Sequence, residues 1–135
     1  MSYPIRDIDG VDDTVARALR KAGIRTTERL LEAAKDAPGR KALAAKTGLE
    51  ERFLLSCANA ADRLRVPGLG KGNAALMRHA GVETVRELKH RNATRLHNAM
   101  VQANKKRGLV KFAPNEDLVR RWIEEAGTLP LKIKY

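Results

Sequence analysis

Residues 65–74 read Arg65-Val66-Pro67-Gly68-Leu69-Gly70-Lys71-Gly72-Asn73-Ala74 and separate two segments of helical pattern. Two glycines one residue apart permit a backbone with positive φ, and the helix that follows directs free backbone N–H groups outward from its positive end. This combination favours the binding of an anion such as a phosphate. Leu69, between the glycines, is expected to face inward and to anchor the turn to the core.

The turn has a counterpart earlier in the chain, because the sequence repeats internally. A shift of 58 positions aligns Gly10 with Gly68 and Ala22-Gly23-Ile24 with Ala80-Gly81-Val82, and a shift of 65 aligns Cys57 with Trp122. The second copy therefore carries about seven extra residues, which fall at 104–114 in a basic stretch with glycine and proline, typical of a loop. The repeat predicts two units, residues 1–61 and 62–135.

Each copy has the pattern of four short helices, which predicts an all-α fold. The predicted helices cover residues 13–22, 39–46, 50–64, 73–80, 93–105 and 115–126, with two more that begin near Thr26 and Thr84. The last helix of each copy has an apolar stripe at helical spacing, which indicates core. Thr84 and Glu87 have the spacing of a capping box, whereas Arg29 replaces the glutamate in the first copy.

Strand signals are limited to the alternating residues 131–135. This segment permits a short terminal strand, for which residues 3–5 are the candidate partner.

The composition favours an acidic partner. The chain has 27 Lys and Arg residues against 16 Asp and Glu, a formal net charge of +11, which exceeds the magnitude of about 2 to 8 usual for a small soluble domain. Residues 62–135 hold a net charge of +9 and residues 1–61 only +2. One Trp, two Tyr and two Phe are too few for the aromatic platforms on which single-stranded nucleic acids stack.

The second turn and its continuation resemble a known motif. Val66, Gly68-Leu69-Gly70, Ala74 and Ala80-Gly81-Val82 with Thr84 look like the helix-hairpin-helix motif, which binds duplex backbone phosphates without reading sequence. The first copy is similar to the paired helix-hairpin-helix units in the N-terminal domains of recombinases. Two such units in tandem resemble a bacterial family of tandem helix-hairpin-helix proteins of unknown function. The resemblance implies a fold and a binding tendency, and no established activity.

The first copy departs from the motif, because Asp12 stands where the second glycine is expected. A carboxylate there can cap the helix but repels a phosphate, so we expect the first turn to be structural. Residues 47–49 are a second candidate hairpin for contact with the DNA backbone. The acidic Glu50 and Glu51 that follow make such a contact less favourable. The matching place in the second copy is the basic segment 105–111, which has no acidic residue.

The leading hypothesis is a non-catalytic, sequence-independent binder of duplex DNA, with structured RNA left open. Its contacts to phosphate would fix position on the duplex and carry no base information. The expected contact residues are Arg63, Arg65, Gly68, Leu69, Gly70, Lys71, Gly72, Asn73, Arg78, Lys105, Lys106, Arg107 and Lys111.

Two other readings stay open. One is a protein-interaction or scaffold module, which suits the more acidic first unit and is compatible with DNA binding by the second. The other is a base-excision glycosylase, because Pro67-Gly68-Leu69-Gly70 also resembles the hairpin of that superfamily. Gly72 stands where its attacking lysine is expected, and Glu87 is the nearest carboxylate to the expected catalytic aspartate. We therefore expect no catalytic residues.

Cofactors, metals and membranes are not indicated by the sequence. His79, His90 and His97 have no partners at metal-ligand spacing, and neither a phosphate loop nor a dinucleotide fingerprint occurs. No small-molecule substrate is implied. No apolar stretch is long enough to cross a membrane or to form a secretory signal. The one cysteine, Cys57, suits a reducing compartment and a place in the core, so a cytoplasmic location is expected.

Overall fold

Eight α-helices and no β-strand make up residues 2–135, the part of the chain that the computed structural model describes. The helices are α1 (Asp13–Lys21), α2 (Thr27–Ala34), α3 (Ala37–Thr47), α4 (Glu51–Arg63), α5 (Gly70–His79), α6 (Val85–Leu88), α7 (Ala93–Arg107) and α8 (Glu116–Thr128), preceded by a 3₁₀ turn at Ile5–Asp7. The predicted all-α fold with about eight short helices is confirmed. Within residues 2–135, none of these helices combines the length and apolar character needed to cross a membrane.

Short polar side chains fix where most of these helices begin. Each accepts a hydrogen bond from the backbone N–H three residues further on, which satisfies one of the free donors of the first turn. The six capping side chains within residues 2–135 are Asp12, Thr26, Asp36, Thr84, Asn92 and Asn115. Capping at Asp12, Thr26 and Thr84 was predicted from the sequence, whereas α3 begins two residues before its predicted start at residue 39.

The predicted capping box at α6 forms with a displaced partner. The hydroxyl of Thr84 accepts from the N–H of Glu87 at 3.4 Å, but the carboxylate of Glu87 accepts from the N–H of Glu83 at 2.9 Å. In the first copy, Thr26 caps α2 through the N–H of Arg29 at 3.2 Å without any help from a glutamate.

Two compact units divide the chain. Unit 1 runs to Arg65 and includes Lys132–Tyr135, and unit 2 is Val66–Leu131. The division thus falls four residues after the predicted 61/62 boundary. In unit 1, α2 packs against α3 and α4, and in unit 2, α7 packs against α5 and α8 while α6 packs against α8. Cys57 and Trp122 are both buried, which confirms that the two apolar stripes are core.

The predicted terminal strand pair is wrong. Lys134 donates its backbone N–H to the carbonyl of Lys35 at 2.7 Å, and the Lys134 carbonyl accepts from Nη2 of Arg40 at 3.1 Å. Residues 3–5 pair instead with residues 25–27, through N–H···O distances of 3.2 and 2.8 Å. Each segment finds backbone partners beside α2, so neither is available to the other.

Candidate nucleic-acid interface

The glycine turn, residues 67–73, has a backbone that only glycine adopts without strain. Gly68 and Gly70 have φ values of +76° and +73°, in the left-handed region where other side chains meet their own backbone. Leu69 between them is 2% exposed, and its N–H donates to the carbonyl of Val66 at 3.2 Å. The prediction that Leu69 anchors the turn to the core is confirmed.

The start of α5 has no side-chain cap. α5 begins at Gly70, three residues before the predicted start, and the residue before it is Leu69, which provides no acceptor. At α1 the equivalent position to Gly70 is Asp12, whose Oδ1 accepts from the N–H of Val15 at 2.9 Å. The first turn of α5 therefore presents the positive end of a helix without the carboxylate that closes its counterpart.

Asn73 lies in this first turn with an unusual environment. Its Oδ1 is buried and accepts no hydrogen bond from any residue in the described part of the chain. A buried acceptor without a partner is unfavourable by about 1 to 3 kcal/mol, so such atoms in folded proteins often mark a functional constraint.

A second segment, residues 105–112, comprises the last three residues of α7 and the loop that follows them, and we call it the basic loop. Its part after α7 lies against the glycine turn through Leu109 and Val110. Asn104 holds it in place: Nδ2 donates to the carbonyl of Val110 and Oδ1 accepts from the N–H of Val110, both at 3.0 Å. A Cβ at Gly72 would lie 2.9 Å from Cγ1 of Val110 and 3.6 Å from the carbonyl oxygen of Leu109. Gly72 thus allows the close approach, and we call the two segments together the turn-and-loop face.

The basic loop supplies cations that the fold leaves open. Lys105, Lys106, Arg107 and Lys111 are exposed, and none of them pairs with a carboxylate in residues 2–135. Phe112 is 80% exposed, and Nζ of Lys111 lies 5.6 Å from the centre of its ring. An exposed aromatic ring beside a lysine, in a segment with three further exposed cations, is typical of a contact surface.

Lys71 and Arg78 on α5 are also exposed, although each already makes an interaction within the chain. They add positive charge to unit 2, but the geometry does not single them out.

Two predicted contacts, Arg63 and Arg65, lie in a different setting. Arg63 is 2% exposed. Arg65 donates to Oδ1 of the buried Asp62 through Nε at 2.9 Å and Nη2 at 2.6 Å. Because one guanidinium is inside the protein and the other neutralises a buried carboxylate, neither is arranged as an open phosphate contact. The spacing of Asp62 three residues before Arg65 was the signal in the sequence.

The corresponding segments of unit 1 are used differently. Asp12 occupies the start of α1 as described above, as expected of a structural turn. Gly48 ends α3 with φ of +76°, and the hydroxyl of Thr47 donates to the carbonyl of Leu43 at 2.8 Å and accepts from the N–H of Leu49 at 3.2 Å. This hairpin is thus closed by its own side chain.

Metal-ligand groups and the cysteine thiol are the other candidate centres within residues 2–135. Across residues 2–135, no three His, Cys, Asp or Glu side chains are grouped so that they could hold a metal ion. Burial of Cys57 raises the pKa of its thiol to about 12, so the thiolate that a nucleophile requires does not form at neutral pH.

Comparison with known proteins gives one match. The family model described as "Domain of unknown function (DUF4332)" matches residues 9–129. No curated protein and no solved structure matches the chain.

Proposed function

This chain belongs to the DUF4332 family, whose description assigns no activity, and we propose that it is a non-catalytic, sequence-independent binder of duplex DNA. The observation that carries the proposal is the uncapped start of α5 at the positive-φ Gly70, packed against the loop that follows the basic end of α7. The resemblance of this turn to a helix-hairpin-helix motif supports the same function.

Asp12 indicates how the turn would hold its ligand. In unit 1 a carboxylate oxygen sits 2.9 Å from a backbone N–H in the first turn of α1. In unit 2 a phosphate oxygen of the duplex would take the equivalent place at the first turn of α5, where the helix dipole favours negative charge. Because this contact is to a phosphate, it positions the duplex without specifying bases.

The basic loop would then contact the neighbouring backbone. Lys105, Lys106, Arg107 and Lys111 neutralise phosphates and release counterions, so log K should fall by about 0.9 per unit of log salt for each phosphate neutralised. Phe112, beside Lys111, gives the loop an apolar contact to sugar or base edges in a groove.

A charge introduced at Gly70 tests the proposal. Gly70→Asp would restore the carboxylate that Asp12 supplies in unit 1, whereas Gly70→Asn imposes the same backbone strain without the charge. We expect salt-sensitive binding of a duplex of about 30 base pairs by the wild type, and a loss of at least about tenfold in affinity for Gly70→Asp relative to Gly70→Asn.

Fluorescence anisotropy at two salt concentrations measures the affinity for the duplex and its dependence on salt. Circular dichroism checks that the helices of each variant are intact. Equal affinities of the two variants, or binding that does not respond to salt, would contradict the proposal. No binding to duplex DNA or structured RNA would instead favour a protein-interaction module.

A further inference from the structure

Unit 1 contains a cleft of about 290 Å³ between α1 and α3. Four of its residues lie on one face of α1, at the spacing of successive helical turns, and two lie at the end of α3. The lining residues are Thr14, Arg17, Ala18, Lys21, Lys46 and Thr47.

The charged residues that line this cleft are all positive. The lining holds three cations and no carboxylate. All three cations are exposed, and within the described residues Arg17, Lys21 and Lys46 form no ion pair. Like charges that converge on one cleft repel each other, so an anion between them lowers their energy.

The carboxylates nearest to the cleft in sequence are engaged elsewhere. Asp12 caps α1 through the N–H of Val15 at 2.9 Å, and Asp13 pairs with Nε of Arg6 at 3.3 Å. Neither of these groups supplies the missing negative charge.

Comparison of the two units indicates that the fold does not require these cations. With the shift of 58 positions, Arg17 corresponds to Ala75 and Lys21 to His79. Thr14 corresponds to Gly72, against which Val110 of the basic loop is packed. Unit 1 lacks that insertion, since α4 starts three residues after Gly48 whereas α8 starts eight residues after Gly108. The place that the insertion occupies in unit 2 is therefore an open, positively lined cleft in unit 1.

We propose that this cleft is a binding site for a phosphate group. Arg17 and Lys21 would provide charge from α1 and Lys46 from α3, and the hydroxyl of Thr14 would provide a hydrogen bond. The volume is near the lower end of the range of about 300 to 1,000 Å³ for small-molecule sites, which suits a single phosphate with a small substituent. That phosphate belongs either to a small phosphorylated molecule or to a nucleic-acid backbone. The site lies in unit 1 and does not depend on the turn-and-loop face.

Titration with inorganic phosphate tests the site directly. The variant Arg17→Gln/Lys46→Gln removes two lining charges, and the matched control Arg20→Gln/Lys41→Gln removes two exposed charges from the same helices outside the lining. The measurement is the NMR chemical shift of each backbone amide at constant ionic strength, with sodium chloride as the competing salt.

We expect saturable shifts at Thr14, Arg17 and Thr47 in the wild type and in the control, and an apparent affinity at least about tenfold lower in the lining variant. Equal responses of the two variants, or shifts that chloride reproduces, would overturn the site, leaving non-specific attraction to a basic surface.

A second arm identifies the source of the phosphate. The two variants are compared for binding to a duplex of about 12 base pairs, long enough for one helical turn. A larger loss for the lining variant assigns the site to backbone phosphate, and equal binding assigns it to a small phosphorylated molecule. The phosphate titration contains no DNA, so the proposed site and the proposed function of unit 2 can fail separately.

Discussion

Asp12 and Gly70 occupy equivalent positions at the starts of α1 and α5, and this difference determines what each helix end can bind. The carboxylate of Asp12 sits 2.9 Å from the N–H of Val15 and closes the first turn of α1. Such a cap contributes about 1 kcal/mol to helix stability. Gly70 contributes no cap, so the positive end of α5 is available to an external anion at the expense of that local stabilisation.

Cys57 gives a prediction about stability at alkaline pH. Burial raises the pKa of its thiol from 9.0 to about 12, so between these values the folded state keeps a proton that the unfolded chain releases. Stability is therefore lost as pH rises through this window, by at most about 1.4 kcal/mol per pH unit from this group. Since Cys57→Ala lacks the thiol, the stability difference between wild type and variant should narrow from pH 8 to pH 11.

Urea unfolding at several pH values, followed by circular dichroism, measures that difference. Comparison with the variant cancels the titration of lysines and tyrosines common to both proteins. A difference that stays constant over the whole range would show that the thiol titrates in the folded state as it does in the unfolded chain.

The basic loop gives a prediction at the scale of an element. Asn104 fixes the loop by two hydrogen bonds of 3.0 Å to Val110, and it carries no charge. Asn104→Ala should lower stability by about 1 kcal/mol per lost bond and reduce duplex affinity several-fold, because Lys111 would no longer be held beside the glycine turn, while Lys105, Lys106 and Arg107 stay on α7. The number of cations is unchanged, so the salt dependence should remain close to that of the wild type.

The test is to measure the affinity for duplex DNA, and the slope of log K against log salt, for the wild type and Asn104→Ala. Gln102→Ala is a suitable control, because Gln102 is an exposed polar residue of α7 whose side chain forms no hydrogen bond within residues 2–135. Wild-type affinity for Asn104→Ala would mean that the position of the loop is irrelevant to binding.

The elements also show which features can be predicted from sequence. The starts of α1, α2 and α6 could be predicted because a cap and its N–H lie three residues apart, and the stripe of α8 could be predicted because burial repeats every turn. The position of residues 132–135 could not be predicted in this way, because the hydrogen bond between Arg40 and Lys134 joins residues 94 positions apart. The contact of Val110 with Gly72, 38 positions apart, is also non-local, and no local pattern predicts it. Residue type alone did not separate the buried Arg63 from the exposed Lys105.

At the scale of the whole molecule, the excess of positive charge has two different origins. In unit 2 the insertion carries the cations of the basic loop on its own backbone, and in unit 1 three cations line the space left by its absence. The two proposals therefore assign a polyanion to the turn-and-loop face of unit 2 and a single anionic group to the cleft of unit 1. The net charge is +9 for residues 62–135 and +2 for residues 1–61. This difference points to the face in unit 2 but not to the cleft in unit 1.

The salt dependence of binding distinguishes specific contacts from this general excess of charge. Lys105→Gln/Lys106→Gln and Arg86→Gln/Arg121→Gln each remove two positive charges from exposed positions of unit 2, and only the first pair lies in the basic loop. If the loop contacts phosphates, the first variant should lose about 0.9 from the slope of log K against log salt for each contact removed. The second variant should keep the wild-type slope and lose affinity only through the longer-range field, which is screened beyond about 10 Å at 0.1 M salt. Equal slopes for the two variants would mean that duplex DNA responds to the net charge of unit 2 and not to the turn-and-loop face.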